Sequence, residues 1–169
     1  KVIGVSLEPS TNPSLYESNG LKNHIVDYKK DIRNYFEIKS IIKENRPEFV
    51  FHLAAQSLVL RSYGEPLDTF STNVMGTVNI LEAIRNSNST SVFINFTSDK
   101  CYENKEVDCS YNENDKLGGH DPYSASKASS EIITNSFRQS FFENQKNQVS
   151  ISTIRAGNVI GGGDWAENR

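Results

Sequence analysis

At 169 residues, 36% of them hydrophobic and 23% charged, the chain has the size and composition of one globular domain with a buried core. Its net charge of −3 argues against a nucleic-acid or anionic-membrane surface. No apolar run approaches the ~20 residues that span a bilayer, and the opening Lys1-Val-Ile-Gly-Val-Ser6 turns polar too soon for a signal peptide.

Residues 2–7 read as a short strand. Residues 8–20 carry Pro9, Pro13 and Gly20 among several Ser and Asn, and read as a loop. Residues 24–28 are predicted as a second strand. A helix is expected over 34–45, with Asn34 and Glu37 in capping-box spacing and Pro47 beyond its end. Residues 49–55 form a third strand, apolar almost throughout, as in a parallel sheet covered on both faces. A long helix follows over 67–85, with Val74, Val78, Leu81 and Ile84 on one side. Then come a strand at 91–97, an irregular charged loop at 101–119, a helix at 122–143 and a last strand at 149–154.

This alternation means an α/β fold with a doubly wound parallel sheet. Such a sheet normally opens with a strand, a glycine-rich turn and a helix that receives a pyrophosphate. No such turn occurs; Gly161-Gly-Gly163 lies at the wrong end and no helix follows it. The chain therefore reads as beginning at the second strand and stopping after the sixth. In the 3-2-1-4-5-6 order the first strand is central, so two open apolar edges are expected. On this reading the 169 residues are a fragment that does not fold stably alone.

The chemistry is concentrated in two places. Ser98-Asp99-Lys100 falls at the C-terminal end of the strand at 91–97, where ligands bind in open α/β sheets. Tyr123 and Lys127 are spaced to share one helix face, just after a helix start written as Asp121 at the N-cap and Pro122 at the first position. A phenol, an ammonium, a hydroxyl and a carboxylate together can oxidise an alcohol and then eliminate water. The spacing alone is weak, because Tyr35-Phe-Glu-Ile-Lys39 has it too. That second pair reads as an exposed helix face with Ile38, Ile41 and Ile42 turned inward. Cys101 and Cys109 flank the charged loop; reduced thiols are the expectation and a disulfide the alternative. His24, His52 and His120 have no metal-ligand spacing, so no metal is expected.

With these residues in view, the chain resembles the extended short-chain dehydrogenase/reductase family. Within it, the resemblance is to the 4,6-dehydratases acting on CDP-glucose. It is carried by Thr97-Ser-Asp-Lys-Cys-Tyr102, Leu117-Gly-Gly-His-Asp-Pro-Tyr-Ser124 and Arg155-Ala-Gly-Asn-Val-Ile-Gly-Gly-Gly-Asp-Trp165. The opening Ser6-Leu-Glu-Pro with Pro13-Ser-Leu is similar to the same subgroup. The resemblance covers nearly the whole segment. It implies that residues 1–169 are part of a Rossmann-type NAD-binding domain whose C-terminal substrate domain lies beyond Arg169.

The resemblance assigns NAD as cofactor, a nucleotide sugar (CDP-glucose) as partner, a cytoplasmic lyase of deoxysugar biosynthesis for lipopolysaccharide O-antigen, and a homo-oligomer at full length. It places Asp31 and Ile32 at the adenine, with Asp31 accepting from its amino group. Leu53, Ala54, Ala55 and Gln56 correspond to a loop where small residues let backbone approach the cofactor. Asn73 supports the site and Thr97 lies beside the nicotinamide ribose. Tyr123 and Lys127 are the catalytic pair, with Lys127 also on the ribose hydroxyls. Asn158, Asp164 and Trp165 join Ser98 on the substrate. Two departures stand out. The commoner nucleotide-sugar dehydratases are similar to Asp-Glu where this chain has Asp99-Lys100, which leaves open which group is base and which acid. The end of the first strand here, Val5-Ser6-Leu7, carries no acid for the adenosine ribose, and no obvious arginine clamps a 2′-phosphate either, so this position does not decide between NAD and NADP, and NAD is what the resemblance implies.

The expected reaction is transient oxidation at C4 of the hexose, elimination of water across C5 and C6, and hydride return to C6. The alternatives are a 4-epimerase or reductase, which have no use for an acid-base couple at 99 and 100, and an inactive truncated relative.

Overall fold

The computed structural model describes residues 1–108, 110–143 and 149–166. Five short strands alternate with helices: β1 (Ile3–Ser6), β2 (Val26–Lys29), β3 (Phe49–His52), β4 (Val92–Phe96) and β5 (Ser150–Ile154). All strand pairs are parallel, but they form two sheets, β1-β2 and β3-β4-β5. The α/β architecture is thus the expected one.

The helices are α1 (Leu15–Ser18), α2 (Tyr35–Asn45), α3 (Val59–Gly64), α4 (Pro66–Phe70), α5 (Gly76–Arg85) and α6 (Pro122–Phe137). Helix α2 starts as its sequence directs, with the Asn34 side chain accepting from Glu37 N. It buries Ile38, Ile41 and Ile42. The single turn α1 sits inside the expected 8–20 loop. It is held by Ser14 Oγ accepting from Glu17 N at 3.2 Å and has too few residues to show a periodicity. The long helix expected at 67–85 is α4, a π turn at Ser71–Met75 and α5, and α3 precedes it. Pro66, with no N–H to give, opens α4 and separates it from α3.

The core joins Ile32, Ile38, Ile42, Ile80, Leu81, Ile84, Phe93, Phe142 and Ile151. Strand register puts Val50, Phe93 and Ile151 at one level and His52, Asn95 and Thr153 at another. Phe93, His52 and Asn95 are buried. Cover on both faces of the third strand was expected, and the structure corrects this. Phe49 and Phe51 are 55% and 56% exposed, so the opposite face of β3 is open. Gly76 lets the loop after β2 seat on α5: a Cβ there would fall 2.4 Å from Ile32 Cδ1. Asn79 completes that seat by donating to the carbonyls of Ile32 and Arg33 at 3.0 and 2.9 Å. Among the described residues no helix is long and apolar enough to cross a membrane.

Candidate active site

Helix α6 organises the site. The Asp121 side chain accepts from Ser124 N at 2.9 Å and from Ser124 Oγ at 2.5 Å, and Pro122 occupies the first turn. Gly119 makes this start possible, because a Cβ there would lie 2.4 Å from Ala125 N. The helix then presents two stripes at four-residue spacing. One is Tyr123, Lys127 and Glu131; the other is Ser126, Ser130 and Thr134. All six are buried.

The second stripe is a ladder of hydrogen bonds. Asn95 Nδ2 donates to Ser130 Oγ and Thr134 Oγ1, each at 2.9 Å. Thr134 passes its proton to the Ser130 carbonyl. Thr77 Oγ1 donates to the Asn73 carbonyl at 2.7 Å, so it accepts from His52 Nε2 and Ser130 Oγ, both at 3.0 Å. This assigns the proton of neutral His52 to Nε2, and Nδ1 has no hydrogen-bond partner. Burial, and secondarily the Lys127 charge, push the His52 pKa down to about 3. Asn73 Nδ2 donates to Ser126 Oγ at 2.8 Å, which donates to the Tyr123 carbonyl at 2.7 Å. Asn73 also holds both backbone groups of Gln56, at 2.8 and 2.9 Å.

The first stripe faces the strand ends. Lys127 Nζ donates to the Phe96 carbonyl at 3.1 Å, and burial pushes its pKa down to about 8. The Glu131 carboxylate accepts from Thr97 Oγ1, from Thr153 Oγ1 at 3.0 Å and from Arg155 at 3.0 Å. Burial would raise this carboxyl, but the donations from Arg155, Thr97 and Thr153 outweigh it and hold it below its ordinary value.

Ser98 caps a short turn, Asp99–Cys101, which packs on α6. Its hydroxyl accepts from Lys100 N at 3.2 Å and donates to Asp99 Oδ1 at 3.1 Å. Asp99 and Lys100 form a loose pair 4.0 Å apart, with side chains 53% and 46% exposed. Both line a cavity of about 850 Å³, walled also by Tyr102, Tyr111, His120, Ser124 and Arg155. Tyr123 and Lys127 are buried outside that lining. Cys101 is a buried free thiol whose pKa burial pushes up to about 11; Cys109 lies outside the described residues.

The structure thus gathers Ser98, Asp99, Lys100, Tyr123 and Lys127 around one strand end and one helix. Other expected site residues have different surroundings. The Asp31 carboxylate is held by Arg33, whose hydrogen bonds lower its pKa. The Ile32 side chain is in the core, and its carbonyl accepts from Asn79 Nδ2. Gln56 closes its own loop, accepting from Leu58 N at 2.6 Å and donating to Thr69 Oγ1 at 2.9 Å. Leu53 is exposed, and Ala54 and Ala55 half-buried, at the C-terminal end of β3. Thr97 gives its proton to Glu131. Asn158, Asp164 and Trp165 lie exposed beyond β5, outside the cavity lining. Glu131 and Arg155 were not foreseen; the signal for Glu131 was its position four residues past Lys127.

A buried ammonium with one of its three protons on the carbonyl that ends β4 suits the hydroxyls of a dinucleotide ribose. These donors fit such a cofactor.

The profile of the GDP-mannose 4,6-dehydratase family matches residues 6–151. The chain is 46% identical over 171 residues to CDP-glucose 4,6-dehydratase of Salmonella typhimurium, covering 99% of this chain and 48% of that protein. It therefore spans about half the length of this relative. Among solved structures, UDP-glucose 4-epimerase of Thermotoga maritima with UDP-glucose superposes with a TM-score of 0.72 at 26% identity. That match covers 83% of this chain and 44% of that one. The Thermus thermophilus UDP-glucose 4-epimerase complex with NAD gives 0.62 at 26% identity, covering 70% and 38%.

Proposed function

The chain belongs to the GDP-mannose 4,6-dehydratase family, and from that premise we propose that it is the cofactor-holding part of an NAD-dependent 4,6-dehydratase acting on CDP-glucose. The observation that carries the reading is the turn capped by Ser98, whose Asp99 and Lys100 line an open cavity beyond the end of β4 and which packs on the helix of Tyr123 and Lys127. The identity to a CDP-glucose enzyme supports the nucleotide, and the NAD-bound epimerase supports the cofactor.

When bound, the nicotinamide supplies a hydride acceptor for C4 and donor for C6, so the reaction has no net redox change. Tyr123 Oη takes the proton of the C4 hydroxyl. The Lys127 ammonium favours the phenolate that can do so and gives its remaining protons to the ribose hydroxyls. Ser98 Oγ hydrogen-bonds the C4 oxygen. The resulting ketone acidifies the C5 hydrogen. One proton moved from Lys100 Nζ to Asp99 turns the loose ion pair into an amine base and a carboxylic acid. Desolvation by substrate favours that neutral pair. Lys100 then takes the C5 proton. Asp99 gives its proton to the C6 hydroxyl, the C6–O bond breaks, and water leaves. Lys100 returns its proton to C5 as C6 is reduced. Asp99 ends as the carboxylate it began as, and the proton gained at Tyr123 balances the one lost from Lys100 through exchange with water.

Asp31 and the Ile32 backbone hold the adenine. Leu53, Ala54 and Ala55 let the backbone approach the cofactor, and Gln56 and Asn73 fix that loop. Asn158, Asp164 and Trp165 reach the substrate from the loop beyond β5.

The test is the complete gene product with NAD and a panel of nucleotide hexoses, read by mass spectrometry. Loss of one water from CDP-glucose, with no lasting reduced cofactor, is the expected result. Isomerisation without water loss would make the protein an epimerase instead.

A further inference from the structure

Right after the Asp99–Cys101 turn the chain leaves the sheet and returns at Leu117. The excursion is pinned at its neck by an antiparallel bridge between Tyr102 and Leu117 and by Gly118 N donating to the Cys101 carbonyl at 2.9 Å. Farther out it meets Arg155, which lies just beyond β5. The guanidinium carbon sits 4.9 Å from the Tyr102 ring centroid, and Tyr102 stacks on Tyr111 at 5.0 Å and 15°. One terminal nitrogen donates to the Glu113 carbonyl at 3.0 Å. The other is fixed on buried Glu131. Glu131 in turn is tied to the ends of β4 and β5 through Thr97 and Thr153.

One planar fork therefore joins the rigid corner of sheet and helix to the loop that walls the cavity. A lysine, a point charge on a flexible stem, cannot donate in two fixed directions and stack on a ring at once. We propose that Arg155 is a positioning residue: anchored on Glu131, it holds residues 102–108 and 110–117 of the excursion and thereby the aim of Asp99 and Lys100 into the cavity. The kinetic consequence rests on the dehydratase reading. Asp99 and Lys100 serve only the elimination, so loosening them slows water loss more than the oxidation carried by Tyr123 and Lys127.

Two variants of the complete gene product test this. Arg155→Lys leaves a cation for Glu131 but loses the fork. Tyr102→Leu leaves the ion pair intact and removes the stack. The first readout is amide hydrogen exchange without substrate. Residues 99–117 should exchange about tenfold faster in both variants, with α6 unchanged. The second is a single turnover with NAD and CDP-glucose. Water loss should fall about tenfold more than the oxidation, so that reduced nicotinamide accumulates. Unchanged exchange over 99–117 would overturn the proposal. So would oxidation and elimination falling in the same proportion, the mark of general damage. A wild-type protein that removes water from no nucleotide hexose would sink the dehydratase reading, and the exchange data would still decide whether Arg155 holds the excursion.

Discussion

Two helices of this chain carry a tyrosine and a lysine four residues apart. On α2, Tyr35 is half-buried and Lys39 exposed, with the ammonium 5.5 Å from the ring centroid. That helix rests on Ile38, Ile41 and Ile42. On α6, Tyr123 and Lys127 are both buried, and the helix rests on Ser126, Ser130 and Thr134. The spacing is identical and the surroundings are opposite. An exposed pair in water is an ordinary surface contact. A buried ammonium is a charge held against a desolvation cost, and such groups are where proton chemistry is found.

The sharpest way to break this comparison is to remove each pair from the complete gene product. Lys127→Met or Tyr123→Phe should lower the dehydration rate about a thousandfold. Lys39→Met and Tyr35→Phe should leave it within about twofold. Equal losses from both helices would end the distinction.

Acid separates the two helices next. His52, at the base of α6, has a folded pKa of about 3 against 6.5 for a free imidazole. Its contribution is fully present above pH 6.5 and is lost as the pH falls toward 3, on the order of 5 kcal/mol in all. Urea midpoints should therefore drop over that range, and His52→Leu should flatten the drop. Hydrogen exchange in acid should open α6 before α2.

Base gives a smaller and oppositely placed effect. Lys127 titrates at about 8 when folded and 10.5 when unfolded. The unfolded chain then holds the extra proton between those values, so stability rises with pH across them by roughly 3 kcal/mol. Lys127→Met should abolish that rise, and Lys39→Met should not. The caps come last. Asp121→Ala should cost about 1–2 kcal/mol and lower activity, because it loosens the turn that places Tyr123. Asn34→Ala should cost about 0.5–1 kcal/mol and leave activity unchanged. Thermal melts of both variants, beside the dehydration assay, check this.

Much of this contrast is legible in the sequence. Asp121-Pro122 announces the start of α6, and the isoleucine triplet announces the buried face of α2. The strand ending at Ser98-Asp99-Lys100 is equally plain. The π turn at Ser71–Met75 is not, because no spacing in the sequence marks a wider turn within the helix and the bonds of Asn73 to Gln56 and Ser126 are tertiary. Glu131 and Arg155 lie 24 positions apart and meet only once β5 is docked beside β4. The open face of β3 is invisible too, because an apolar run reads the same whether one face or both are covered. The packing of the Ile32 side chain against Gly76 is not legible either, because the two lie 44 positions apart and meet only once the loop after β2 seats on α5.

The polar ladder beneath α6 also bears on how this protein would respond to engineering. Hydroxyls and amides pair in one register only, whereas apolar side chains tolerate small slides and rotations. Rebuilding Asn95, Thr77, Ser130 and Thr134 as a fitted hydrocarbon layer would remove the cost of burying polar atoms, and the melting temperature could rise. The helix would then be free to settle an ångström from where the reaction needs it. A library selected for heat resistance alone should drift toward that apolar layer and lose turnover as it does.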